Sequence, residues 1–363
     1  VQSRVKNIFL NSKQPVDGIV IKNANMPFID DNFFYVTNLD QGIFEGACAV
    51  LHPSGTLDLV TSELEAESAS KSNDQLYTYK TKDEYSKHLR ALLSSFSTIG
   101  INAHALSYLE FTKLTEIAPK ATFVDVSNGF IAARFIKDEQ EIQRIKKACT
   151  IADETMAAIP DILAEGMSED ELAAEINYSL QSLGADKPAF DTISSFGKNS
   201  AEPHYGHGNV PLKKDSFILC DFGACYKRYN SDITRTFIFG HASELQKKMY
   251  TTVVQAQQVA LQMVQPGIKA GDVHQAVQAY IDSTEFKGRF IHSTGHGLGL
   301  AVHDGIGLAP ENIMELKEHM VLTVEPGVYV PGFGGVRIED DILIKKDGYE
   351  LLTKSSRNLN EIG

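Results

Sequence analysis

The chain has few cysteines. Four occur in 363 residues, at 48, 149, 220 and 225, and no two show paired zinc-knuckle spacing. This excludes a disulfide framework and leaves small buried thiols as the expectation. A soft-ligand role for Cys220 or Cys225 is the lesser reading. No apolar run is long enough to span a membrane, and the one within residues 1–10 is too short for a signal peptide. The chain opens on Val1 in place of Met, which suggests a processed or trimmed start. Lysines and arginines form no dense stripe and the net charge is −13, which excludes a general nucleic-acid binder. The expected setting is cytoplasmic. At 43% hydrophobic and 22% charged residues, the composition is globular, and the length accommodates two domains with a core each.

Against this background four carboxylates stand out. Asp221 and Asp232 flank a connection rich in Gly, Tyr and Asn, between two β-rich segments. Glu325 and Glu339 flank a Gly/Pro-rich turn between another two. Antiparallel pairing would set Asp221 and Asp232 side by side. Residues two apart on a strand share a face, so Thr234 is expected beside Asp232 and Thr323 beside Glu325. Arg337 and Asp341 are likewise expected beside Glu339. The threonines would support ligand carboxylates, and Arg337 would offset negative charge or hold a substrate group.

A surface salt bridge would explain one acid on one strand. It does not explain Asp221, because residues 217–220 and Phe222 read as buried and an unpartnered buried carboxylate is expensive. No run of Lys or Arg lies nearby in sequence to pair it. A hard divalent cation would remove the cost, and a site of this charge can hold two such ions about 3.5–4 Å apart. Together they would activate one water as a nucleophile at neutral pH, so the reading is a two-metal hydrolase.

Histidines cluster in two Gly-rich stretches, His292, His296 and His303 in one, His204 and His207 in the other. Glycines on both sides of His296 would let the backbone approach a ligand or cofactor. Spacing alone leaves His292 and His207 open.

The region also echoes itself. Residues 165–176 align with 266–277 without a gap, each stretch preceded by a long helical segment, from Glu139 and Glu244, and followed by an acid-bearing strand pair. Asp138/Glu141, Ser168/Glu171 and Ser243/Gln246 read as capping-box helix starts. Two halves related by an approximate twofold would converge their hairpins on a shared metal pair. Residues before the first long helix read as a separate α/β unit. Its strands are expected at 18–21, 46–51, 57–60, 98–101 and 123–126, and its clearest helices at 84–96 and 107–117.

Asp221, Asp232, His296, Glu325 and Glu339, in this order and spacing, resemble the five ligands of the pita-bread metallopeptidases. That family includes Xaa-Pro dipeptidase (prolidase), aminopeptidase P and methionine aminopeptidase. Segments 190–193, 197–204, 231–236, 295–300, 323–327 and 335–339 resemble its other blocks. The N-terminal unit, including 34–38, is similar to the small domain of prolidases and aminopeptidase P, which methionine aminopeptidases lack.

The resemblance implies an α/β N-terminal domain over 1–132 and an α+β pita-bread catalytic domain over 133–363 with an internal pseudo-twofold duplication. It implies two divalent metal ions (manganese, cobalt, zinc or iron), with Asp221 on one, His296 and Glu325 on the other, and Asp232 and Glu339 bridging. His204 and His303 would hold the substrate carbonyl and assist proton delivery to the leaving nitrogen. Glu325 would also accept a proton, and Arg337 would bind a carboxylate or order the bridging region. The implied activity is that of an Xaa-Pro dipeptidase acting before a C-terminal proline. Aminopeptidase P activity on longer Xaa-Pro peptides is the alternative, and a non-catalytic pita-bread binding protein is remote because every ligand type is kept. A creatinase-like amidinohydrolase lacks these acids. A homodimer is implied, with no nucleic-acid or membrane partner. Asp304 stands where Glu is usual, Ile306 where Pro is usual and Asn38 where Gly is common, departures that bear on substrate preference.

Overall fold

A computed structural model describes residues 1–72 and 74–363. The chain falls into two compact units, Val1–Arg134 and Phe135–Gly363.

The first unit is built on a six-stranded sheet. Its strands are β1 (Gly18–Lys22), β2 (Cys48–Leu51), β3 (Leu57–Ser62), β4 (Gln75–Tyr79), β5 (Thr98–Ile101) and β6 (Thr122–Asp125), in the spatial order β4-β3-β2-β1-β5-β6. Only β2 runs against the rest. Helices α1 (Gln2–Asn11), α2 (Asp31–Thr37), α3 (Ala66–Ala69), α4 (Lys82–Leu93), α5 (Tyr108–Ile117) and α6 (Ser127–Phe135) complete the α/β pattern. The apolar strands β1 and β2 are wholly buried and legible as sequence. The edge strand β4 is less so, because its Leu76, Tyr77 and Tyr79 are only half-buried and are interspersed with exposed Gln75 and Thr78, so no continuous hydrophobic run marks it. Asn38 caps α2 in the left-handed region at φ 58°. Asn is the non-glycine residue that tolerates this conformation best, which accounts for its place where Gly is common.

The second unit is a duplication. Its first half carries α7 (Glu139–Ile162) and α8 (Glu169–Ser182), then β7 (Lys187–Pro188), β8 (Ile193–Phe196), β9 (Ser216–Phe222), β10 (Ala224–Tyr226), β11 (Tyr229–Asn230) and β12 (Ile233–Phe239). The second half carries α9 (Glu244–Met263) and α10 (Ala270–Asp282), then β13 (Val321–Val324), β14 (Gly327–Val330), β15 (Gly334–Arg337), β16 (Asp340–Lys345), β17 (Gly348–Leu351) and β18 (Glu361–Ile362). Capping boxes start α7, α8 and α9, at Asp138, Ser168 and Ser243.

Between the helices of each pair, matching glycines sit in the left-handed region, Gly166 at φ 87° and Gly267 at φ 88°. Their N–H groups donate to the carbonyls of Leu212 and Leu316 respectively. The next strand-like contacts also match, Ser168 against Pro211 and Lys269 against Glu315.

Both faces of the β9–β12 ladder are buried. Alternation sends Ile218, Cys220, Phe222 and Ile233 to a core shared with α7 and α8. Phe217 and Ile238 turn the other way, into a core built by α9, α10 and the strands β13 to β16. Asp221 and Thr234, which face each other across β9 and β12, belong to this inward face by strand period. Cys220 is thereby committed to the apolar core and turned from the acids.

Candidate metal centre

Asp221 and Asp232 do share a face, as diagonal neighbours. The residue opposite Asp221 is Thr234, and Asp232 immediately precedes β12. Glu325 and Glu339 occupy breaks in their hairpin. Each lies between two strand segments, Glu325 between β13 and β14, Glu339 between β15 and β16. A break turns a side chain out of strict alternation, which lets both acids point into the space between the halves.

His296 comes from the long segment between α10 and β13. Its N–H donates to Thr323 Oγ1 at 3.0 Å, and its Nε2 stands 3.6 Å from both Asp232 Oδ2 and Glu325 Oε1. Single ligand atoms of Asp232, His296 and Glu339 all lie within 4.8 Å of one another. One cavity of about 420 Å³ is lined by all five candidate ligands together with His204, His303 and Arg337. Phe190, Ile193, Pro203 and Val302 supply its apolar wall. His207 is elsewhere, exposed and 2.6 Å from Asp170.

Several neighbours differ from the strand-period expectation. Thr234 Oγ1 donates to Glu339 Oε2 at 2.6 Å, across the two halves, and not to Asp232 beside it. Asp341 Oδ2 accepts the Asp232 N–H at 2.9 Å. The glycines around His296 admit the close approach of protein backbone: a Cβ at Gly295 would lie 2.0 Å from Thr323 O, and one at Gly297 2.2 Å from Asp304 O. Asp221 has a cationic partner after all, since Arg337 Nη2 donates to its Oδ2 at 2.5 Å.

Two further donors of Arg337, on Nε and Nη1, go to Thr234 Oγ1 and Tyr329 Oη. Tyr329, which the sequence reading missed, also meets His292 Nε2 at 2.9 Å. Its signal was its place on the strand following Glu325. His292 itself lines the cavity.

Asp232 and Glu339 are 4% and 1% exposed. Burial, then repulsion from Glu339 and the other acids, holds Asp232 well above the usual carboxylate range. Burial, then Glu325 and Asp221, does the same for Glu339. Burial pushes Glu325 up to about 8 against the pull of Arg337. His296 is lowered to about 4, by burial first and His303 second, so its imidazole is neutral, the form that ligates metal.

Asp221 Oδ1, Asp232 Oδ1 and Glu339 Oε1 are buried without any hydrogen-bond partner among the described residues. Native buried acceptors nearly always have one. A divalent cation would satisfy all three and restore the ionised carboxylates. The donor set fits such an ion.

Residues 143–346 match the model of metallopeptidase family M24, and residues 9–136 match the creatinase/prolidase N-terminal domain. The chain is 37% identical over 362 residues to an Xaa-Pro dipeptidase of Pyrococcus horikoshii, covering 99% of each. Among solved structures it resembles an Xaa-Pro dipeptidase from Bacillus anthracis with a TM-score of 0.90 at 31% identity, over 99% of both chains. It also resembles an X-Pro aminopeptidase from Thermotoga maritima with a TM-score of 0.90 at 28% identity, over 96% of this chain and 98% of that one.

Proposed function

The chain belongs to metallopeptidase family M24, its second unit carrying the pita-bread fold, and on that premise we propose that it is an Xaa-Pro dipeptidase. The observation that carries the reading is the convergence of five ligand-type side chains with His204 and His303 on one cavity. They converge in a chain similar from end to end to an Xaa-Pro dipeptidase.

Asp221 would hold one divalent ion, His296 and Glu325 a second, and Asp232 and Glu339 both. When bound, the ions supply Lewis acidity toward the scissile carbonyl and lower the pKa of water. His204 and His303 hold the substrate carbonyl and deliver a proton to the leaving prolyl nitrogen. Glu325 takes the proton released by the attacking water. Arg337 donates to Asp221, Thr234 and Tyr329, which supports an ordering role for it. The apolar wall of Phe190, Ile193, Pro203 and Val302 suits a proline ring, whose tertiary amide offers no N–H.

The second reading is an aminopeptidase P, supported by the similarity to the Thermotoga maritima X-Pro aminopeptidase. Metal-stripped protein reloaded with manganese, cobalt, zinc or iron and offered Ala-Pro beside Ala-Pro-Ala separates the two. Cleavage of the dipeptide alone is the expected result, and preference for the tripeptide makes it an aminopeptidase P. A homodimer and a cytoplasmic location belong to the same proposal, tested by sedimentation velocity and cell fractionation. No helix among the described residues is long and apolar enough to cross a membrane.

A further inference from the structure

Glu169 is a carboxylate with no exposed surface, buried at the first turn of α8 and outside the cavity lining. A wholly buried acid is costly unless its oxygens are used. Here both are. Oε1 accepts the Phe196 N–H at 2.7 Å and the Asn199 side-chain amide at 2.9 Å. Oε2 accepts the Tyr205 hydroxyl at 3.1 Å. Asn199 also donates to the Tyr205 hydroxyl at 3.0 Å.

These partners bracket a single segment. Phe196 ends β8, Asn199 lies in the short turn after it, and Tyr205 directly follows His204, which lines the cavity. The chain beyond is pinned to the same helix start: Asp170 N–H donates to Gly208 O and Glu169 N–H to Val210 O. On the other side, Ser200 Oγ accepts the Gly335 N–H at 2.8 Å, two residues from Arg337. Between these anchors, neither ring nitrogen of His204 has a hydrogen bond among the described residues to hold it, so its position follows from the backbone that carries it.

We propose that Glu169 is a positioning residue for His204: it clamps both ends of the 196–205 segment and thereby sets the imidazole against the substrate carbonyl. The inference rests on the reading that His204 acts on substrate. A misplacement of about 1 Å at a reacting group can lower the rate about 100-fold, and removing the clamp is expected to act through that displacement.

A double-mutant cycle tests it on the metal-loaded, full-length enzyme. Glu169→Ala is expected to lower kcat on Ala-Pro about 100-fold with KM little changed, and to cause no further loss in a His204→Ala background. Glu169→Gln, which keeps one oxygen for Phe196 and Asn199 and can donate to the Tyr205 hydroxyl, is expected to restore most of the rate. Tyr205→Phe is expected to give a smaller loss that also vanishes in the His204→Ala background, and it carries the cycle if Glu169→Ala does not fold. Equal losses with and without His204 overturn the proposal, as does full activity in Glu169→Ala. Full activity in His204→Ala alone overturns the underlying reading of the site, a result visible before the cycle is completed.

Discussion

Arg337 Nη2 donates to Asp221 Oδ2 at 2.5 Å, and the pair joins the second half of the duplicated unit to the first. Both side chains are almost wholly buried, so neither partner can be removed without leaving the other unmatched. Breaking a buried pair costs about 3–5 kcal/mol. Arg337→Ala is expected to lose about that much in urea unfolding of the metal-free protein. Arg337→Lys is expected to recover only part, because one ammonium cannot serve Asp221, Thr234 and Tyr329 in the guanidinium's fixed geometry. Unchanged unfolding midpoints would count against the pair as a structural tie.

The metal-free protein is expected to lose stability as the pH rises from about 6.5 to about 8. Burial raises Glu325 from 4.5 to about 8, with Asp232 and Glu339 raised too. The folded state therefore binds more protons than the unfolded one, and stability falls with pH through this range. His292 and His296, lowered to about 3 and about 4, act in the opposite sense, but only below the ordinary histidine value of 6.5. Bound divalent ions take the place of those protons, so the loaded protein should show no such decline. Calorimetric Tm values at constant ionic strength measure both slopes, and a metal-free Tm that rises across the window contradicts the raised carboxylates.

Asp221→Ala and Glu339→Ala are each expected to abolish turnover through loss of metal. Elemental analysis after dialysis should show fewer ions per chain in both variants, alongside undetectable release of proline from Ala-Pro. Either variant with its full turnover intact would sink the ligand assignment.

Gly295→Ala is expected to weaken metal binding. Its Cβ would collide with Thr323 O, a rigid backbone atom, and the shift would pass to His296, whose N–H rests on Thr323 Oγ1. Gly332→Ala is the control. No atom of the described residues lies within 4 Å of its Cβ, although its φ of 78° is unfavourable for a side chain, so it should cost about 1–2 kcal/mol of stability and leave metal affinity alone. Isothermal titration with manganese compares the two, and equal affinities would show that the approach at Gly295 does not govern the histidine.

Much of the fold was legible because its signals are local. The capping boxes at Asp138, Ser168 and Ser243 lie within three residues of their partners, and the helices begin where they indicate. The repeat around Gly166 and Gly267 is visible because the same turn needs the same residue twice. The strand β4 was missed because its half-buried Leu76, Tyr77 and Tyr79 are interspersed with exposed polar residues and form no continuous hydrophobic run. The strand breaks at Glu325 and Glu339 were read through as continuous hairpin, since a break changes pairing without changing composition.

The amino-acid sequence by itself determined which acids and histidines exist, in what order, and on which repeated half each lies. Only the tertiary structure decided what each one touches. Thr234 bonds Glu339 in place of its neighbour Asp232, Arg337 pairs with Asp221, and Glu169 reaches Phe196 and Tyr205. The physical reason is distance along the chain. Strand and helix periods specify the direction of a side chain relative to its own element, whereas its partner depends on how two elements, in the longest cases more than a hundred residues apart, come to pack.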